Sequence, residues 1–257
     1  MELSVKTDFV KRYYLLDALR GICVLGMIIY HTLFDVVAFM GVEVSATVFN
    51  IINIVRDFGA CCFIALAGIC IHFGRRPLRR AITLSAAGLV VSAVTYIFIP
   101  DLPVVFGILT FMGAAAFIMI PLKRLLNRLP SGICAVMSLV MFLMTFELTK
   151  HHIGVFGVEI APLPEFLYKN YFTAFLGFPF YGFVSGDYYP LFPWIFMFFF
   201  GFFIWKVIAK NSVTERLLGI RLKAFEKIGK YSLYIYMIHQ PVILGVVLLV
   251  SLIFQHI

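Results

Sequence analysis

The stretch LLDALRGICVLGMIIYHTLFDV, residues 15–36, has the length and apolar character of a membrane-spanning helix. It also carries four ionisable side chains, Asp17, Arg20, His31 and Asp35, which a lipid environment disfavours. Ionisable groups within a span usually face the interior of a helix bundle or a polar cavity. The stretch therefore predicts a membrane protein whose first helix carries functional polar groups.

The composition of the whole chain also indicates a polytopic membrane protein. Of its 257 residues, 62% are hydrophobic and 13% are charged, whereas a soluble domain of this length needs more polar surface. No flexible linker or low-complexity tract divides the chain, so we expect a single domain over residues 1–257. The first apolar segment is too long for a signal peptide and holds internal charges, so we expect it to be retained.

Apolar runs predict seven transmembrane helices, because about 20 residues cross the hydrocarbon core. The predicted spans cover residues 14–39, 48–73, 81–99, 104–121, 132–148, 190–208 and 231–254. With the N-terminus inside, the inner segments hold seventeen Lys and Arg residues, and the outer loops hold only Lys150 and Lys169. Since basic loops stay cytoplasmic, we expect the N-terminus inside and the C-terminus outside. The net charge of +8 is therefore a topology signal, and no nucleic-acid partner is expected.

The outer segment 149–189 departs from this regular pattern. It is rich in aromatic residues and interrupted by Gly and Pro, as in YFTAFLGFPFYGFVSGDYYP. Because irregular backbone cannot face lipid, we expect an interfacial or re-entrant element near residues 165–185. The alternative is an eighth span, which would place the C-terminus inside.

Helical periodicity places the four polar residues of the first span on one stripe. Arg20 and His31 are eleven residues apart, so they share a face and lie about 16 Å apart along the helix axis. Asp17 and Asp35 extend the stripe by about one turn at its two ends. We expect Arg20 and His31 to be functional and the two aspartates to support them. The alternative is structural ion pairing, for example between Asp17 and Arg20.

Two further polar pairs fall within predicted spans. Arg56 and Asp57 lie near the depth of His31 when each helix is counted from its cytoplasmic end, either as part of a site or as a packing pair. His239 and Gln240 lie about 12 Å into the last span, which predicts a position near the level of Arg20. A structural role for this histidine is the alternative.

Two segments at the membrane surfaces carry candidate binding residues. In GDYYPLFPW, residues 186–194, Asp187 is expected to bind an acceptor or to start a helix, and Trp194 either joins it or belongs to an aromatic belt. The cytoplasmic RRPLRR, residues 75–80, is typical of an inner loop, although its arginines could also hold phosphates.

We expect no metal site. All five cysteines fall within apolar spans, which suits packing thiols rather than a disulfide framework. His151 and His152 stand without Cys or carboxylate residues at ligand spacing. Sequence motifs of nucleotide hydrolases, zinc proteases and serine hydrolases do not occur.

Five segments together resemble a known family. They are RYYLLDALRGICVLGMIIYHTLFDV, FIALAGICIHFGRRPLRR, FGILTFMGAA, DYYPLFPW and IGKYSLYIYMIHQPV, in this order from Arg12 to about Val242. They are similar to the bacterial DUF1624 family, which is related to the catalytic domain of heparan-alpha-glucosaminide N-acetyltransferase and to the wider transmembrane acyltransferases. The arginine and histidine of the family's first helix match Arg20 and His31. Where a histidine is expected in the fourth span, this chain has Thr110.

The resemblance implies an enzyme that moves an acetyl group from cytoplasmic acetyl-CoA to an acceptor, often a sugar, beyond the membrane. It implies that His31 acts as a base or a transient acyl carrier, with Asp35 or Asp57 orienting it. Asp187 and Trp194 would then hold the acceptor. Residues expected to contact the donor are Asp17, Arg20, Arg56, Arg75, Arg76, His239 and Gln240.

Two rival functions remain open from the sequence. A proton-coupled transporter or exporter of a small polar solute would also need buried Arg, His and Asp, but would typically show paired halves with broken helices. A non-catalytic membrane scaffold is the other rival.

We expect a multi-pass protein of the inner cell membrane. Small residues of the second span could pack helices within one subunit or in a homodimer, namely Gly59, Ala60, Ala65, Ala67 and Gly68.

Overall fold

The computed structural model describes residues 13–40, 44–155, 157–209 and 211–255. Four basic residues used to predict the topology, Lys6, Lys11, Arg12 and Lys210, lie outside the described residues. The orientation below follows the charge distribution, and the side that carries the loop 75–80 is called cytoplasmic.

Seven helices in the described ranges are long and apolar enough to cross a membrane, which confirms the predicted all-α polytopic fold. These helices are α1 (Tyr14–Met40), α2 (Ala46–Cys70), α3 (Pro77–Phe98), α4 (Ile108–Leu126), α5 (Ser131–Thr145), α7 (Leu191–Ile208) and α10 (Ser232–Gln255). Three short helices connect them, namely α6 (Tyr171–Leu176), α8 (Ser212–Leu218) and α9 (Lys223–Lys230). Each long helix overlaps one predicted span.

Several helix ends lie at residues whose chemistry favours them. The Ser45 side chain accepts a hydrogen bond from the Val48 N–H and so caps the start of α2. Pro77 occupies the first turn of α3, where its missing N–H costs nothing. The fourth helix begins four residues later than predicted and continues through Pro121 to Leu126.

Within its described residues, the outer segment forms no eighth span. It contains an antiparallel hairpin of β1 (His152–Val155) and β2 (Val158–Pro162), which the sequence pattern did not predict. The six-residue α6 follows, with a capping box between Asn170 and Thr173, and it is far too short to cross a membrane. The hairpin is held to the end of α5 by Glu147, whose carboxylate accepts hydrogen bonds from Lys150, His152 and the Gly157 N–H.

Glycines allow close contact between neighbouring helices. A Cβ at Gly68 of α2 would overlap the Phe198 carbonyl of α7, and one at Gly201 of α7 would overlap the Ala65 carbonyl of α2. The same reciprocal arrangement joins α3 to α4 and α1 to α9. The glycines concerned there are Gly88 and Gly113, and Gly21 and Gly229. Small residues at such positions let helix backbones approach closely, which is how membrane helices gain packing contacts.

The largest apolar core lies where α2, α4, α5 and α7 meet. Ile64, Phe111, Phe198 and Phe202 are almost fully inaccessible there. This core holds α2 and α7 together. These two helices form one side of the cavity described below, and α1 forms the opposite side.

Candidate active site

A cavity of about 860 Å³ lies between α1, α2 and α7. Along α1 its lining runs from Leu19 to His31, and along α2 from Val55 to Ile69. At 1.5 Å per residue these stretches are about 18 Å and about 21 Å long. The cavity therefore extends through much of the membrane thickness, and its volume is within the usual range for sites that bind small molecules.

The charged and histidine side chains of this cavity belong to its outer part. The polar residues that line it there include Tyr30, His31, Arg56, Asp57, Lys150, Ser185, Asp187 and Tyr236. Farther in, the lining is mostly apolar, with residues such as Leu66, Ile69 and Ile204. The cavity thus combines an apolar channel with a polar end.

His31 meets a second histidine at this outer end. The ring centroids of His31 on α1 and His239 on α10 are 5.0 Å apart. The predicted depth of His239, near the level of Arg20, is therefore wrong.

The contact between α1 and α9 explains this error. Gly229 at the end of α9 packs beside Asp17 and Gly21 of α1, so the last helix begins near the level of Gly21 rather than level with the start of α1. Ten residues, or about 15 Å, separate Gly21 from His31 along α1. Ten residues also separate Gly229 from His239, and most of them lie in α10. The two histidines consequently reach the same depth.

Asp187 connects three segments next to this histidine pair. Its Oδ2 accepts hydrogen bonds from the Ile108 N–H at the start of α4 (3.1 Å) and from the Tyr236 hydroxyl of α10 (2.8 Å). Asp187 thus accepts a hydrogen bond at the start of a helix, as one of the two alternatives predicted. That helix is α4, however, and not α7, which follows Asp187 in the chain. Burial raises the pKa of the Asp187 carboxyl, and the hydrogen bonds from Tyr236 and Ile108 act in the opposite direction.

We expect Asp187→Ala to destabilise the protein by roughly 1–3 kcal/mol, because it leaves the buried Ile108 N–H and Tyr236 hydroxyl without an acceptor. Asp187→Asn retains an acceptor oxygen and should cost less. Thermal unfolding in detergent measures both variants, with Tyr236→Phe as the control that removes one donor only. Equal stability of Asp187→Ala and the wild type would contradict a structural role for this carboxylate.

Arg56 and Asp57 form an ion pair within α2, at 2.8 Å. Arg56 also donates to the Tyr30 hydroxyl (3.1 Å). Both members of the pair line the cavity at the level of His31, as their predicted depth requires. The pair places one positive and one negative group beside the histidines.

Neither predicted carboxylate orients His31 directly. Asp35 is 1% exposed, and both of its oxygens accept from the Gln240 amide of α10, at 3.2 and 3.0 Å. Asp57 is bound to Arg56 instead. Within the described residues neither carboxylate is hydrogen-bonded to His31, so the expectation of direct contact is wrong. Asp35, one turn beyond His31, and Gln240, next to His239, instead join α1 to α10.

Arg20 lies beside the inner end of the cavity but outside its lining. It pairs with Asp17 at 3.2 Å, as the structural alternative predicted, and donates to the Cys70 sulfur of α2 (2.9 Å). Of the four polar residues on the first helix, only His31 lines the cavity. Arg75 and Arg76 are exposed in the cytoplasmic loop before α3.

Thr110, found where a histidine was expected, packs directly against Gly88 of α3. It also borders a void of about 10 Å³ that Asp187 and Tyr236 line, which is room for about one water.

Trp194 is 6% exposed, lines the large cavity and packs against Tyr189.

Sequence reasoning missed several polar residues of the cavity, among them Tyr30, Tyr236 and Lys150. Tyr30 precedes His31 directly, and Tyr236 lies three residues before His239, so proximity to each histidine was an available signal. Lys150, which follows the end of α5, also lines the cavity, and no local pattern indicates this.

Two other predictions concern metals and dimers. Among the described residues, no group of three or more His, Cys, Asp or Glu side chains is arranged to hold a metal ion. Ala65 and Gly68 of the small-residue set contact α7 of the same chain, and Gly59 lines the cavity. This small-residue set therefore gives no support to a dimer interface.

The helices and the cavity define a multi-pass membrane protein with a polar site enclosed within its bundle. The family model described as "Heparan-alpha-glucosaminide N-acetyltransferase, catalytic" matches residues 12–241. The chain belongs to this family, which confirms the resemblance and makes it a membrane acetyltransferase in general terms. Searches among curated proteins and among solved structures gave no match.

Proposed function

We propose that the protein transfers an acetyl group from cytoplasmic acetyl-CoA to a sugar or amino sugar on the outer side of the inner membrane. The observation that carries this proposal is the position of His31 at the outer end of a cavity that runs about 18 Å along α1. A donor that enters from the cytoplasm could place its acetyl group beside His31 without leaving the membrane interior.

The two ends of the cavity suit the two ends of the donor. The inner end adjoins Arg20, and Arg75 and Arg76 are exposed on the same side, so positive charge is available for the phosphates of CoA. The mostly apolar middle of the cavity suits the long pantetheine arm. The thioester would then lie at the polar outer end.

His31 can promote transfer by either of two balanced routes. As a base, it takes a proton from the acceptor hydroxyl or amine while that group attacks the thioester carbon, and it returns the proton to the departing CoA sulfur. As an acyl carrier, its ring nitrogen forms a bond to the acetyl carbon while the C–S bond breaks, and the released CoA thiolate takes up the proton that the acetylated ring loses from its other nitrogen. The acceptor then attacks the acetylated ring and its proton goes to the released imidazole.

The acceptor is proposed to bind between His31 and the outer segment. Asp187 bonds Ile108 and Tyr236 through Oδ2 alone, and its Oδ1 accepts no hydrogen bond among the described residues. Asp57 and Lys150 add a carboxylate and an ammonium group at the same end. Hydroxyl and amino groups of a sugar are suitable partners for this set, and Trp194 supplies an aromatic surface.

The test uses purified protein in lipid vesicles, with acetyl-CoA outside and glucosamine as a simple amino-sugar probe inside. We expect acetyl-CoA binding, release of free CoA thiol and acetylated sugar in the lumen, which protein-free vesicles should not show. A transporter of polar solutes would move glucosamine or another solute and leave the thioester intact. Absence of acetyl-CoA binding by folded protein would overturn the proposal.

A further inference from the structure

His31 has an unusual immediate environment for a histidine proposed to act as base or nucleophile. Catalytic histidines are commonly oriented by a carboxylate or a carbonyl that accepts one ring N–H. Here the nearby carboxylates Asp35 and Asp57 are occupied by Gln240 and Arg56. The ring packed against His31 from α10 is His239, with the centroids 5.0 Å apart.

The hydrogen bonding of His239 defines which of its nitrogens can accept a proton. Its Nδ1 lies 2.6 Å from the backbone carbonyl oxygen of Tyr236. A carbonyl oxygen can only accept, so Nδ1 carries the hydrogen, and in the neutral ring Nε2 holds a lone pair.

That Nε2 atom is buried without a hydrogen-bond partner among the described residues, and the His239 side chain is 8% exposed. A buried acceptor without a donor is costly, so native proteins seldom leave one unpaired. The neighbouring ring of His31, with its centroid 5.0 Å away, carries an N–H that could satisfy it.

We propose that His239 is a positioning residue that accepts a hydrogen bond from one ring nitrogen of His31 through Nε2. The ring separation is short enough that a side-chain rotation of His31 brings its N–H to Nε2. With that nitrogen protonated, the other ring nitrogen of His31 presents its lone pair to the cavity. His239 thereby takes the part that a carboxylate plays in other histidine sites. The role in turnover rests on the proposed acetyl transfer.

Hydrogen bonds around His239 hold its ring in place, as a hydrogen-bond acceptor for His31 requires. Its bond to the Tyr236 carbonyl holds the ring, and the Tyr236 side chain is itself bound to Asp187. Asp35 and Gln240 join α1 to α10 just beyond the two histidines. The two histidines are therefore held between two polar contacts that join α10 to its neighbours.

Two substitutions of His239 test whether its role is to accept a hydrogen bond or whether another property of its side chain matters. His239→Gln carries an amide oxygen at about the reach of Nε2, whereas His239→Leu has no acceptor. We expect His239→Leu to slow turnover by about 10–100-fold and His239→Gln to stay close to wild type. His151→Gln, which alters an exposed histidine of the outer loop, is the matched control.

A second readout does not depend on acetyl-CoA. Diethyl pyrocarbonate modifies the unprotonated nitrogen of histidine, and mass spectrometry of the peptide that contains His31 gives its rate. We expect this rate to fall in His239→Leu and to persist in His239→Gln. His239→Met replaces the leucine variant if size-exclusion chromatography shows that the latter does not fold.

The outcomes distinguish the two proposals. Equal modification of His31 in wild type and His239→Leu would overturn the pairing, as would equal loss in His239→Gln and His239→Leu. If the modification rates follow the expected order but wild type releases no CoA thiol, the pairing stands and the proposed acetyl transfer fails.

Discussion

Replacing His31 by alanine is expected to lower acetyl transfer by about 10²–10⁴-fold, because general acid–base catalysis by a positioned side chain contributes about that much. His31 is the histidine that lines the outer end of the cavity, whereas His239 packs behind it. The substitution enlarges the polar end and leaves the apolar channel unchanged. Binding of acetyl-CoA should therefore persist while thiol release and acetylation of the acceptor fail.

The measurement compares thiol release with equilibrium binding of acetyl-CoA in the same detergent preparation. His151→Ala serves as the control, because His151 is exposed in the outer loop and packs on Tyr168 away from the cavity. Loss of binding and turnover together in a folded His31→Ala protein would assign the residue to substrate binding. Wild-type turnover in that variant would exclude it from the chemistry.

Gly201→Ala is expected to destabilise the protein by about 1–3 kcal/mol, the usual cost of overpacking a close contact. The added Cβ would overlap the Ala65 carbonyl, so α7 must move away from α2. Because both helices line the cavity, the change should also weaken acetyl-CoA binding. Gly68→Ala, which would meet the Phe198 carbonyl from the other side, should act in the same direction.

Thermal unfolding in detergent measures this effect, with Gly245→Ala as the matched control. Gly245 also lies within a transmembrane helix, but a Cβ there would meet no atom within 4 Å. Alanine at such a position is expected to be neutral or to stabilise by about 0.5–1 kcal/mol, since it restricts the unfolded chain. Similar unfolding temperatures for Gly201→Ala and Gly245→Ala would show that the α2–α7 contact is not tight.

The long apolar runs made the transmembrane helices predictable. Hydrophobic length is a local property, so the seven spans and the irregular outer segment were visible without tertiary information. The same holds for Arg56 and Asp57, whose depth followed from a simple count along α2. The hairpin was not visible, because its strands are short and Glu147, which anchors it, is separated from the bonded Gly157 by ten residues.

The histidine pair shows where local counting fails. Periodicity placed Arg20 and His31 on one face, but it could not show that Arg20 turns to Cys70 while His31 lines the cavity. Likewise, Asp187 follows α6 in the chain, yet its bonds go to α4 and α10. Such partners depend on how distant segments pack.

The sequence by itself determined that the chain crosses the membrane repeatedly and keeps ionisable groups within its spans, since both depend on the order of apolar and polar residues. Only the tertiary structure decided that the rings of His31 and His239 pack together and that Asp35 accepts hydrogen bonds from the Gln240 amide. The physical reason is the close packing of Gly229 against Asp17 and Gly21. That contact places the start of the last helix near the level of Gly21 and so sets the depth of the residues that follow.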